Sequence, residues 1–114
     1  MSKEPCCKEN EYSIIIVTAG NKEAAREIAS LLVERRLAAC AQMIPIESVY
    51  SWQGKICEDS EVALHIKSRT ALFDEIKAAI KEIHSYEVPE IIQVPITDGL
   101  PEYLAWIDEN TRRG

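Results

Sequence analysis

The sequence predicts an α+β fold: an antiparallel sheet with helices on one face, built on a split β-α-β plan. Two observations lead to it. Hydrophobic patterns of period two and period 3.6 alternate along the chain in the order β-α-β-β-α-β, followed by one more short helix. A tight-turn signal, Trp52-Gln53-Gly54-Lys55, joins the two middle strands directly and pairs them as a hairpin. With 114 residues the chain has room for one modest core.

Each element has a local reason. Tyr12–Thr18 is β-branched and almost continuously apolar, the pattern of a strand buried on both faces. Gly20-Asn21 ends it, and Asn21 is placed to cap a helix over Lys22–Arg36. Ala25, Ile28, Ala29 and Leu32 form the apolar stripe of that helix, and Arg35-Arg36 are expected to close its last turn against the helix dipole. Leu37–Trp52 reads as extended, with a bulge or bend expected at Pro45. After the turn, where Gly54 can take positive φ, the return strand runs from Ile56 to Ser68. Val62, Leu64 and Ile66 share one of its faces, and Glu61, His65 and Lys67 share the other. Thr70 is expected to cap a second helix carrying Leu72, Ile76, Ile80 and Ile83 on one side. Ser85–Pro89 is a loop. Glu90–Thr97 is a last strand, placed at an edge by Pro95, and Gly99 with Pro101 opens a terminal helix over Glu102–Asn110. With right-handed crossovers, this order closes into a ferredoxin-like sandwich. Met1–Glu11 reads as a flexible head, and residues 12–114 as the single domain.

Composition excludes several functions. The chain has 13 Lys+Arg against 19 Asp+Glu, a net charge of -6, which opposes binding to nucleic-acid phosphates or to an anionic membrane surface. RNA-recognition domains share this element order, but they need aromatics on the open sheet and a basic surround; here the central strands carry Ile, Val, Leu and Glu. No apolar run approaches the roughly 18 residues of a membrane span. The polar start lacks the apolar stretch of a signal peptide, so the expected setting is the cytoplasm. Cys6, Cys7, Cys40 and Cys57 have neither zinc spacing nor the density of a disulfide scaffold. Cys40 reads as a small hydrophobe in an Ala-rich run, and Cys6-Cys7 as an oxidisable tail or a pair of thiols for a soft cation such as Cu(I).

Two helices can cover only one face of such a sheet, yet Ile14–Val17 is apolar on both faces, and Ile92, Val94 and Ile96 have little else to cover them. The sequence therefore predicts a homo-oligomer with the open face turned inward. The competing arrangement folds the terminal helix, with Tyr103, Leu104, Trp106 and Ile107, back over that face.

Several blocks match a known family in order and spacing: Arg36-Leu37-Ala38-Ala39-Cys40, Tyr50-Ser51-Trp52-Gln53-Gly54-Lys55, Glu61, Lys67-Ser68, His84-Ser85-Tyr86-Glu87-Val88-Pro89-Glu90 and Tyr103-Leu104-Ala105-Trp106-Ile107. Over roughly Ser13 to Asp108 the chain resembles the divalent-cation tolerance protein CutA family. The resemblance implies a ferredoxin-like fold, a homotrimer built by pairing sheet edges, a cytoplasmic setting, and a link to copper and other divalent metals. Copper-associated members offer a Cys in the first strand and a second adjacent His. Val17 and Ile83 stand at those places here.

His84 is the leading candidate metal ligand, because imidazole suits Cu(II) or Zn(II), with Glu90 and Glu61 as nearby carboxylates. The alternative use of His84 is a hydrogen bond to a loop carbonyl that orders the turn. His65 reads as a sheet-surface residue. Tyr50, Trp52, Lys55, Lys67 and Tyr86 are expected around an inter-subunit cleft. There, carboxylates and ammonium groups either hold a small ligand or form an ion-pair network that fixes the assembly. Trp52, Tyr103 and Trp106 are candidate interface residues. Catalytic signatures are absent: Ala19-Gly20-Asn21 is no Gly-rich phosphate loop, and local sequence suggests no Ser-His-Asp or Cys-His arrangement. The expectation is a non-enzymatic trimer that binds divalent cations weakly, aided by a trimer charge of roughly -18. A small-ligand sensor resembling PII proteins, using inter-subunit clefts, and a structural module without ligand are the alternatives.

Overall fold

The computed structural model describes residues 11–113, so Cys6, Cys7 and nearly all of the expected head lie outside the described residues. The elements are β1 (Tyr12–Ala19), α1 (Lys22–Glu34), β2 (Cys40–Trp52), β3 (Lys55–Arg69), a 3₁₀ turn (Thr70–Leu72), α2 (Phe73–Ile83), β4 (Ile91–Ile96) and α3 (Pro101–Glu109). The four strands form one antiparallel sheet in the order β2-β3-β1-β4, the ferredoxin-like arrangement.

Register decides which side chains enter the core. β1 pairs with β3 so that Ile15 lies opposite Ile66 and Val17 opposite Leu64. These four residues are fully buried beneath Ala25, Ile28 and Leu32 of α1 and Ile76, Ala79 and Ile80 of α2. Their neighbours Ile14 and Ile16 point to the other face, opposite Val94 and Ile92 of β4. Asn21 caps α1 as expected, its Oδ1 accepting from the Ala24 N–H at 2.8 Å.

The middle hairpin turns through Gln53 and Gly54, both at positive φ (53° and 78°), the conformation of a type I′ turn whose twist matches its strands. From there the β2–β3 register runs without a slip from Trp52↔Lys55 to Cys40↔Lys67. The bulge or bend expected at Pro45 is therefore absent, and Pro45 simply faces Val62. β2 is an edge strand with one neighbour, so a residue without an N–H can sit where the donor would point outward. Pro95 lies on the other edge strand, β4, as the sequence indicates.

Two caps differ from expectation. Thr70 does not cap α2: its hydroxyl shares a 2.6 Å hydrogen bond with Ser13 of β1, and the chain takes a 3₁₀ turn before α2 begins at Phe73. Arg35-Arg36 do not close the last turn of α1, which ends at Glu34. Instead Arg36 adopts φ 58°, while Arg36 N–H donates to Val33 O and Leu37 N–H to Leu32 O. This is a Schellman ending with an arginine in the place usually given to glycine. Leu37–Ala39 then links to β2 rather than extending it, with Leu37 buried and its carbonyl accepting from Ser68 Oγ at 2.5 Å.

The terminal helix α3 does fold back over one end of the open face. Ile107 is fully buried, and Tyr103 OH lies 3.9 Å from Cys40 Sγ. Away from that end, Ile44, Ile92 and Val94 stay more than a third exposed. A clasp holds α3 in place. Arg69, 8% exposed at the end of β3, donates to Thr111 Oγ1 at 3.1 Å and to the Arg112 carbonyl, with Asp108 close by. Arg36 closes the other side, donating to Glu109 O at 2.7 Å while its own carbonyl accepts from Arg112 N–H at 2.8 Å.

Because Arg69 is buried and multiply bonded, Arg69→Ala lowers the unfolding free energy by about 2–4 kcal/mol. Arg113→Ala removes only a solvent-exposed partner of Asp108 and costs less than about 1 kcal/mol. Chemical denaturation of the two variants side by side checks that ordering.

Candidate functional site

At the base of the β2–β3 arm lies a cleft of about 650 Å³. Its walls come from the arm, from Thr18 near the end of β1, and from the segment after α2. The turn register places Tyr50 opposite Cys57, Ser48 opposite Asp59 and Ile46 opposite Glu61, which turns these residues to the open face. Tyr50, Trp52 and Tyr86 supply aromatic surface, and Val49 and Val88 add apolar surface. Five carboxylates line it, from Glu47, Asp59, Glu61, Glu87 and Glu90, and no Lys or Arg is among the lining residues.

The loop after α2 is fixed by His84. Its backbone N–H caps the helix by donating to Ile80 O, and its ring lies 4.7 Å from that of Tyr86. Nε2–H donates to the Thr18 carbonyl at 2.7 Å, and Nδ1 accepts the Tyr86 N–H at 3.1 Å. That pair of contacts requires the Nε2–H tautomer and uses both ring nitrogens. Tyr86 in turn donates its phenol to Glu61 at 2.7 Å. Gly20 leaves room for this: a Cβ there would sit 3.4 Å from the phenol oxygen. His84, Tyr86 and Glu61 thus form a chain that ties the end of α2 to β1 and β3.

The phenols in the cleft are held protonated. Burial and the bond to Glu61 push Tyr86 well above the ordinary tyrosine range. For Tyr50, the hydrogen bond to Asp59 raises the pKa to about 12. Both phenols donate into carboxylates, satisfying part of their acceptor capacity without neutralising their charge.

Of the residues expected from sequence, Glu61, Glu90, Tyr50, Trp52 and Tyr86 meet at the cleft, and His84 lies behind Tyr86 with its ring nitrogens engaged. Lys55 and Lys67 are not among the lining residues: Lys55 pairs with Trp52 across the hairpin end, and Lys67 Nζ donates to Gln42 at 2.6 Å. His65 faces Gln42 and Ile16 on the sheet. Among the described residues, no group of three or more His, Cys, Asp and Glu side chains is arranged to hold a metal ion. Tyr103 and Trp106 stack at 5.5 Å on α3, each 39% exposed. Sequence reasoning missed Thr18, Glu47, Asp59 and Glu87. The signal for Asp59 was available, because a two-residue turn at Gln53-Gly54 fixes the register that brings it beside Tyr50.

Sheet order, hairpin arm and basal cleft define a small ferredoxin-like α+β protein with an open sheet face. The chain belongs to the CutA1 divalent ion tolerance protein family, whose model matches residues 13–110. It is 46% identical over 99 residues to the divalent-cation tolerance protein CutA of Thermus thermophilus, covering 86% of this chain and 96% of that protein. It is also 43% identical over 100 residues to the chloroplastic protein CutA of Arabidopsis thaliana, covering 87% of this chain but only 55% of that longer relative. Among solved structures, the Thermus thermophilus Cut A1 protein superposes with a TM-score of 0.86 at 44% identity, over 89% of this chain and 99% of that one. A structure described as the periplasmic divalent cation tolerance protein CutA of Archaeoglobus fulgidus also gives 0.86, at 42% identity, over 87% of this chain and 97% of that one.

The raised phenols set a pH dependence. Between the ordinary tyrosine pKa near 10 and about 12 for Tyr50, the unfolded chain releases a proton that the folded chain keeps. Stability contributed by this contact is therefore complete below about pH 10 and lost as pH rises toward 12. Ultraviolet titration of the phenolates checks it, and Asp59→Asn brings the Tyr50 midpoint back toward the ordinary value.

Proposed function

We propose that this protein is a non-enzymatic, cytoplasmic divalent-cation tolerance protein that works as a homotrimer and takes divalent cations, copper among them, weakly at the basal cleft. The observation that carries this reading is the set of five carboxylates lining one cleft with no Lys or Arg among them. Glu61 and Glu90 are the proposed ligands, since hard and borderline divalent ions accept carboxylate oxygen. Weak binding suits carboxylates that one subunit leaves spread apart. His84 enters as a positioning residue: it holds Tyr86, which holds Glu61, and direct ligation would cost it a hydrogen bond.

Assembly is supported by the apolar face that α3 leaves uncovered and by edge strands β2 and β4, each with one neighbour. Trp52, Tyr103 and Trp106 are the proposed interface aromatics. The free thiols of Cys40 and Cys57 suit a reducing compartment.

Light scattering should return about three times the chain mass, and a monomer at micromolar concentration rejects the trimer. In calorimetry with Cu(II), Glu61→Gln and Glu90→Gln should each weaken binding about 3- to 10-fold, a change of about 0.7–1.4 kcal/mol. His84→Ala should weaken it less, by loosening Glu61. Titrations identical to the unaltered protein in both carboxylate variants reject the site.

A further inference from the structure

We propose that the basal cleft also binds an organic ammonium group carried on an apolar stem, through its aromatic walls and Glu61. The inference shares its carboxylates with the divalent-cation reading, but its aromatic contacts are separate.

A metal ion needs oxygens converging at about 2.0–2.6 Å, whereas these carboxylates are dispersed around a volume near 650 Å³, the size of a small-molecule site. Such dispersion matches a cation whose charge lies at one end of a larger body. The walls supply what that body needs. Tyr50 and Tyr86 are each anchored through the hydroxyl to a carboxylate, which fixes their rings beside the negative charge. Trp52 is 41% exposed, its indole open to a ligand. An ammonium over an aromatic face gains cation–π attraction, and carboxylates beside the ring add to it. Val49 and Val88, both 69% exposed, offer apolar surface to a stem.

A second observation points to a polar ligand atom. Thr18 is 7% exposed and lines the cleft, and its hydroxyl has no hydrogen-bond partner among the described residues. Its carbonyl is already taken by His84. A buried hydroxyl left without a partner calls for one, and an ammonium N–H is a donor of the right kind. Glu61 keeps a second carboxylate oxygen after accepting from Tyr86. No lining Lys or Arg competes for these acceptors.

The test uses the full chain in its native assembly and nuclear magnetic resonance, because the protein has just two tryptophans, Trp52 in the cleft and Trp106 on α3. Pentylammonium is titrated beside pentanol, which has the stem without the charge, and ammonium chloride, which has the charge without the stem. The expected result is a saturable shift of the Trp52 indole N–H with pentylammonium alone, while Trp106 stays in place. Followed at the Glu61 backbone amide, Trp52→Leu should weaken binding roughly 3-fold. Glu61→Gln should do so at least as strongly, and Trp52→Phe should restore part of the loss. Light scattering on each variant confirms that the assembly is retained.

Equal shifts from pentanol or from ammonium chloride, silence from all three probes, or unchanged affinity in Trp52→Leu would overturn the proposal. Calorimetry with Cu(II) separates the two readings: Trp52→Leu leaves metal binding unchanged if both hold. Loss of metal binding with pentylammonium binding intact rejects the divalent-cation site alone.

Discussion

The structure depends on β1 being paired on both sides while apolar on both faces. Its register with β3 brings Ile15 and Val17 into line with Ile66 and Leu64, and that layer is the floor on which both long helices pack. The same strand cannot avoid presenting Ile14 and Ile16 on the opposite face, beside Ile92 and Val94. At about 25 cal/mol per Å² of apolar surface removed from water, covering that second face is a large source of stability. α3 reaches only one end of it. The buried Arg69, holding the chain after α3, shows how much local structure is committed to covering even that part. The surface left over is what the proposed trimer would bury.

The cleft follows from a second consequence of register. A type I′ turn at Gln53-Gly54 pairs β2 and β3 over their whole length, so the arm extends beyond the helices without a bulge to twist it aside. Residues at alternate positions of the arm then gather on one face, and the segment after α2 closes the cleft from the side. That segment has little regular structure of its own; it is held by His84 bridging to the Thr18 carbonyl and by Tyr86 reaching Glu61. The imidazole is at once a helix-end residue, a strand contact and a brace for a cleft side chain, which explains its place in the motif without assigning it a metal.

Local signals were legible from sequence and long-range ones were not. Asn21 caps α1 because its acceptor lies three residues away; Thr70 was read the same way, but Ser13, 57 residues distant, takes its hydroxyl. The end of α1 is misjudged for a similar reason. Nothing local announces that Arg36 will adopt a left-handed conformation, whereas its bonds to Glu109 and Arg112 in the folded chain help to hold it there. Pro45 suggested an interruption because sequence does not say which way a missing donor points; on an edge strand the position is tolerated. At the cleft, Glu61, Glu90, Tyr50, Trp52 and Tyr86 were recognisable within their motif blocks. Asp59, Glu47 and Glu87 were hidden among the other acidic residues of a chain with 19, and Thr18 became a wall only once β1 had a register.

The acidic surplus takes on a more specific meaning in this setting. A net charge of -6 spread over a surface excludes nucleic acid and little else, but carboxylates drawn into one cleft without cations create a local field. Tyrosine phenols donating to Asp59 and Glu61 do not cancel that field, because a neutral donor satisfies a lone pair and leaves the charge in place. What the field selects is set by spacing. Carboxylates that converge favour a small divalent ion, whereas carboxylates held apart by aromatic rings favour a cation with its own apolar body. In the single chain the rings are braced and the acids are apart. The geometry of assembly, which brings further side chains to the same cleft edge, is therefore the variable that decides between an inorganic and an organic occupant.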